Sequence, residues 1–296
     1  VKEAKGLKKW LKAQATLLAK KARVQSNVTN SKDYLKDQGK WVEFDEMMEV
    51  EKQIKSQLEA KKIRVLNKDG GEVRDKSMRN WIRNATLALT FLDGLPLRSQ
   101  NFKLVMVKEP LGPVNCHENA LVMPENDGEW YMELANFKNH KTMGYQKIPL
   151  STELKAWYRF YLDHVWPTYF VNPPKDKLNR WVFIGKEGKP IKKPGETFKR
   201  FTKSFVGREG VTASLMRKIV ETALEERGHY SENQRKQLSQ SMLHSYETVK
   251  SYYLVKDSLT TNRQSLEMYK EFKNGGASKN KQEREEDSNQ ERELTT

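Results

Sequence analysis

Four groups of residues in this chain could do chemistry, and they follow one another in a definite order. Gly94-Leu95-Pro96-Leu97-Arg98 closes a helical pattern and leaves an arginine on a tight turn. Lys138 and Lys141 lie in a polar stretch, 136–144, between two alternating apolar runs that read as a hairpin. Ser214-Leu215-Met216-Arg217-Lys218 opens another helical pattern, and His244 stands nine residues before Tyr253, the second of the adjacent pair Tyr252 and Tyr253. Guanidinium groups hold oxyanions through forked hydrogen bonds, lysine and histidine donate or accept protons, and a phenol can act as a nucleophile. Each residue also has a plain reading. Arg98 could cap a helix C-terminus, Arg217 could be a surface charge, the two lysines could be solvated, His244 could be a packed histidine, and a Tyr-Tyr pair is more often packing than chemistry. The joint order of the four groups carries more weight than any one of them. Cys116-His117 is set aside as a nucleophilic pair, because adjacent residues point apart and no third group orients the histidine. The glycines follow neither a phosphate-loop nor a dinucleotide spacing.

In order and spacing these motifs resemble the tyrosine recombinase (integrase) family, whose catalytic domain is shared with type IB topoisomerases. The resemblance covers roughly residues 75–256 and weakens towards the N-terminus. It implies site-specific cutting and rejoining of DNA through a covalent 3′-phosphotyrosine, independent of metal and nucleotide cofactors. Arg98 and Arg217 would clamp the non-bridging oxygens of the five-coordinate phosphorus. Lys138 would protonate the departing 5′ oxygen, with Lys141 as its alternate. His244 would hydrogen-bond the scissile phosphate, and Tyr253 would attack in line, with Tyr252 in reserve. The chain departs from the family pattern in three places. Ser214 stands where many members have histidine three residues before the second arginine, Asn101 where an acid commonly follows the first arginine by three, and Leu243 where a glycine usually precedes the histidine. A serine hydroxyl can donate to phosphate but cannot shuttle a proton at neutral pH, so Lys218 is the auxiliary group that could compensate. These departures point to the branch found in eukaryotic mobile elements and large viruses.

Periodicity predicts the elements that must position these residues. A basic amphipathic helix occupies residues 1–25, where eight Lys or Arg face one acid and Leu7, Trp10, Leu11, Leu17 and Leu18 recur at helical steps. A second helix runs from Phe44 to Val65 on Met47, Val50, Ile54 and Leu58, before the turn formers at 67–71. A third starts at Ser77 and stops at Gly94 and Pro96. Extended runs follow at 102–107, 129–135, 145–150 and 181–184, with an aromatic helix from Ser151 to Trp166 between the last two. Further helices are expected near 195–205, 212–227, 231–243, 246–256 and 261–273, and Ser231 with Gln234 has capping-box spacing. The predicted fold class is mainly α with a small antiparallel β-sheet (α+β). A helical DNA-clamping domain at 1–70, truncated upstream because the chain begins without a methionine, precedes a catalytic domain at 75–273. The polar tail 274–296 is expected to be disordered.

Composition narrows the partners. Across 296 residues, 54 Lys plus Arg against 39 Asp plus Glu give a net charge of +15, which suits a polyanionic partner, nucleic acid foremost, and the resemblance implies double-stranded DNA. A single cysteine and five scattered histidines argue against a disulfide frame or a structural metal, and no apolar run is long enough for a membrane helix. Segment 257–273 offers Leu259, Leu266, Met268, Tyr269 and Phe272 either to its own domain or to a neighbouring protomer. Docking on a neighbour would build dimers and tetramers on DNA and favours a recombinase over a type IB topoisomerase acting alone. A catalytically inactive DNA-binding relative is the third reading, with Ser214 as its support. Cellular compartment is not legible from the sequence.

Overall fold

The computed structural model describes residues 8, 10–18, 21, 32–67, 73, 75–115, 118–125, 128–138, 140–174, 176–185, 188–227, 230–243 and 258–274. His244, Tyr252 and Tyr253, the predicted helix at 246–256, Cys116-His117 and nearly all of the tail lie outside them. Two compact units are present, Val1–Val42 and Glu43–Thr296. In the first, residues 10–18 are helical and Trp10, Leu11, Leu17 and Leu18 are exposed. A short helix, Lys32–Asp37, ends where Gly39 takes a positive φ of 62° and its N–H donates to the Lys36 carbonyl.

The second unit is mainly helical with one four-stranded sheet. Its longer helices are α1 (Phe44–Leu66), α2 (Lys76–Leu92), α3 (Thr152–Phe160), α4 (Pro194–Val206), α5 (Ala213–Arg227), α6 (Glu232–Ser241) and α7 (Ser258–Lys273). The chain divides before α1, not near residues 67–76 as the turn formers suggested. Alpha-helical spacing explains why: Met47, Val50, Ile54 and Leu58 make one buried stripe, and α1 spends it on packing against α2. At the centre, Phe91 of α2 stacks on Phe198 at 4.4 Å and meets Phe102 edge-on at 4.3 Å. Thr86 and Thr90, buried in the same helix, each satisfy their hydroxyl on the carbonyl four residues back, and Thr90 also meets the Tyr158 hydroxyl at 3.0 Å.

Strands β1 (Leu104–Val107), β2 (Asn119–Val122), β3 (Tyr131–Leu134) and β4 (Gln146–Pro149) lie in sequence order. The sheet is mixed, which corrects the antiparallel expectation. β1 and β2 run parallel, Leu104 opposite Asn119, because the intervening residues 108–118 carry the chain back to the same end. β2–β3 and β3–β4 are antiparallel, so the predicted hairpin is present with Tyr131 opposite Pro149 and Leu134 opposite Gln146. The run at 181–184 makes isolated bridges at Trp181 and Ile184, not a strand. The aromatic helix ends earlier than expected as an α-helix: α3 gives way to a wide turn of helix at Tyr161–Val165 and a 3₁₀ turn at Trp166–Tyr169. Pro167 has no N–H to continue the ladder. Ser151 caps α3 by accepting from the Leu154 N–H, and Ser231 with Gln234 forms the expected capping box on α6.

α7 lies along β4 of its own domain and against α6, as in the first of the two docking readings of segment 257–273. Leu266, Tyr269 and Phe272 are buried, Asn262 Nδ2 donates to the Lys147 carbonyl at 2.7 Å, and the Ser241 and Ser265 hydroxyls meet at 2.6 Å. At its last turn Lys273 pairs with Glu51 at 2.5 Å and approaches Asp93, which Lys55 also meets at 3.2 Å. Burial raises the Asp93 carboxyl, but Lys273, Lys55 and the Ser151 hydroxyl outweigh it and hold the group below its ordinary value. Within the single chain the helix is thus part of the domain's core. Removing it should unfold the domain, not merely uncouple protomers. Tyr269→Ala, which empties a fully buried site, is expected to cost about 3–5 kcal/mol and to lower the melting temperature by roughly 10 °C in a thermal melt.

Candidate anion site at Arg98 and Arg217

Arg98 and Arg217 come from different elements, and tight backbone contacts bring them together. After α2 ends, the chain turns at Gly94, where a Cβ would stand 2.7 Å from the Thr90 carbonyl oxygen. Leu95 and Leu97 are buried beyond it, and Arg98 follows as the N-cap of a 3₁₀ turn, Ser99–Phe102. The start of α4 presses on that turn, since a Cβ on Gly195 would lie 2.8 Å from the Ser99 Cβ. α4 ends at Gly207, φ 64°, and the chain doubles back so closely that a Cβ on Gly210 would meet the Lys199 carbonyl oxygen at 1.7 Å. The Val211 N–H is held by the Thr202 hydroxyl, and the Thr212 hydroxyl accepts from Leu215 N–H to start α5. Arg217 follows one turn later.

The Arg217 side chain is only 4% exposed, yet among the described residues its Nε and Nη1 have no hydrogen-bond partner. Nη2 donates to the Ser214 hydroxyl at 3.3 Å. Arg98, half-buried, likewise leaves its buried Nε without a partner. Burial and, after it, the charge of Arg98 together lower the Arg217 guanidinium to about 10, against the opposing pull of Glu221. Burial raises Glu221 against the pull of Arg217 and Lys218, and it lowers the half-buried Lys218. Asn101, on the same 3₁₀ turn as Arg98, is fully buried, and among the described residues neither atom of its side-chain amide is bonded. Two guanidiniums thus stand close enough to repel each other, with donors unspent and no carboxylate among the described residues bonded to either. Such an arrangement suits a ligand that brings negative charge and several acceptor oxygens.

Lys138 is exposed on the segment between β3 and β4, two residues beyond Asn136. It faces a cleft of about 370 Å³ whose other walls include Gln100 and Lys103, two and five residues after Arg98, and the half-buried Trp181. The cleft therefore sets Lys138 across from the turn that carries Arg98. Lys141 lies on a one-turn helix, His140–Met143, exposed and outside the cleft lining. Ser214 is exposed and supports Arg217 through its hydroxyl oxygen. Sequence reasoning passed over Lys103, Asn119 and Trp181. Nothing in their spacing marks them, since a lysine before a strand, an asparagine heading a short apolar run and a lone tryptophan are ordinary.

Comparison of the chain with family models, with curated proteins and with solved structures finds no match. Among the described residues no helix is long and apolar enough to cross a membrane.

Proposed function

We propose that this chain is a DNA strand transferase of the tyrosine recombinase kind, cutting and rejoining double-stranded DNA at specific sites through a covalent 3′-phosphotyrosine. The observation that carries the reading is the guanidinium pair, Arg217 buried and Arg98 half-buried, with N–H groups that have no partner among the described residues. A scissile phosphodiester supplies what they lack: a negative charge in the ground state and further charge on its non-bridging oxygens as phosphorus becomes five-coordinate. Donors fixed beforehand need no reorganisation when that charge develops, so their stabilisation is largest at the transition state. The Tyr253 phenol releases its proton to water as its oxygen forms the new bond to phosphorus, the bond to the 5′ oxygen breaks, and Lys138 gives that oxygen its proton. The phosphotyrosine keeps the bond energy for rejoining, so neither metal nor nucleotide enters. His244 contributes a hydrogen bond to the phosphate, while Ser214 holds Arg217 in register. The surplus of positive charge draws the polyanion in.

A type IB topoisomerase is the second reading, and a specific observation favours it. α7 packs on β4 and α6 of its own domain, an arrangement that a protein acting as a lone protomer can use as it stands. The test is a nicked suicide duplex incubated with the protein in chelator, followed by denaturation and electrophoresis. A protein–DNA adduct that survives denaturation supports strand transfer, and its absence reduces the chain to a DNA-binding relative. Joining of strands between two duplexes then marks a recombinase, whereas relaxation of supercoiled plasmid by a lone protomer marks a topoisomerase.

A further inference from the structure

Resting on that reading, the geometry points to Asn119 as the positioning residue that fixes the proton-donating lysine against the arginine site. Asn119 is the first residue of β2 and is buried. Its amide oxygen accepts from the Ala135 N–H at 3.1 Å and from the Asn136 N–H at 2.9 Å. Its amide nitrogen donates to the Asn136 carbonyl at 3.1 Å and to the Asn101 carbonyl at 3.4 Å. All four hydrogen-bonding places of the amide are used. Two of the segments so joined matter for the reaction. Ala135–Asn136 is the root of the strand that leads to Lys138, and Asn101 closes the 3₁₀ turn that begins at Arg98, to whose carbonyl the Asn101 N–H itself donates at 2.9 Å.

One side chain therefore sets the distance between the proton donor's backbone and the first arginine's backbone. Phe137, buried between Asn136 and Lys138 and edge-on to His140 at 5.8 Å, pins the next residue along. Position matters here because proton transfer in the transition state falls off steeply once the donor leaves hydrogen-bond reach of the leaving oxygen. Arg217, reached through α4 and α5, makes no bond to this amide, and Arg98 keeps its own turn through the Asn101 N–H bond to its carbonyl.

The test compares two nicked suicide duplexes that differ only at the scissile 5′ position, oxygen in one and sulfur in the other. A thiolate leaves without being protonated, so the sulfur duplex does not need Lys138. Asn119→Ala is expected to slow cleavage of the oxygen duplex by about a hundredfold or more and to leave the sulfur duplex within severalfold of wild type, the same pattern as Lys138→Ala. Equal slowing of both duplexes, or of neither, overturns the inference. Asn119→Asp, which keeps the acceptor and loses both donors, is the second variant should the alanine variant fail to fold, and it is expected to show the same selective loss. The wild-type chain separates the two claims. No adduct on either duplex overturns the strand-transfer reading itself, whereas wild-type cleavage with an unselective Asn119 effect overturns only the role of the amide.

Discussion

Replacing Arg217 by methionine should make the free protein more stable and the enzyme inactive. Arg217's folded value, about 10, lies below that of an unfolded guanidinium, so the unfolded chain holds the proton more tightly. At neutral pH the charged folded form carries the whole of that difference, and the penalty is relieved only as pH rises through 10 and beyond. The cost is on the order of 3 kcal/mol. Methionine keeps the apolar stem packed and removes both the charge and the unpartnered donors, so the melting temperature should rise by several degrees. Cleavage should fall by at least about 10²–10³-fold, the size of effect seen when one preorganised oxyanion donor is removed. Differential scanning calorimetry with and without a multivalent oxyanion such as pyrophosphate completes the comparison: the anion should raise the wild-type melting temperature and leave the variant unchanged. A variant that melts earlier would make Arg217 a structural residue.

The largest effect is expected at the nucleophile. Tyr253→Phe removes one oxygen, so adduct formation should disappear altogether while DNA affinity stays near wild type. On the helix that the sequence predicts for 246–256, adjacent residues stand about 100° apart and face different directions, so Tyr252→Phe should retain the adduct. Peptide mapping of the wild-type adduct gives the same answer independently. Adduct kept in Tyr253→Phe and lost in Tyr252→Phe would exchange the two roles.

Much of the fold was legible because its signals are local. Apolar residues at helical steps from Met47 to Leu58 and from Ile82 to Leu92 mark α1 and α2, and alternation on both sides of 136–144 marks the β3–β4 hairpin. Two misreadings had non-local causes. The turn formers after α1 look like a domain boundary, but the buried stripe of α1 belongs to the same core as α2, and only packing reveals that. β2 is four residues long and pairs in parallel with a strand well before it, so neither its length nor its neighbours announce it. For the site, order and spacing singled out Arg98, Lys138 and Arg217. What they could not give was proximity: the near-contact of Gly210 with Lys199 and the turn at Gly94 bring the arginines together, and these are backbone facts. Asn119 was missed for the same reason, because its importance lies in four partners spread over other segments. The same passage from pattern to packing shows the apolar residues Leu266, Tyr269 and Phe272 of α7 buried in their own domain.

The central claim is that Arg98 and Arg217 neutralise charge on a scissile phosphate, and a duplex with a neutral methylphosphonate at that position tests it most directly. Cleavage rates of wild type, Arg98→Ala and Arg217→Ala would be measured on the methylphosphonate and on the ordinary phosphodiester. With one non-bridging oxygen gone there is less charge to hold, so each alanine variant should lose orders of magnitude on the phosphodiester and recover most of that loss on the methylphosphonate. Equal losses on both duplexes would contradict the account, because the arginines would then be serving the fold or general DNA affinity and not the charge on the reacting phosphorus.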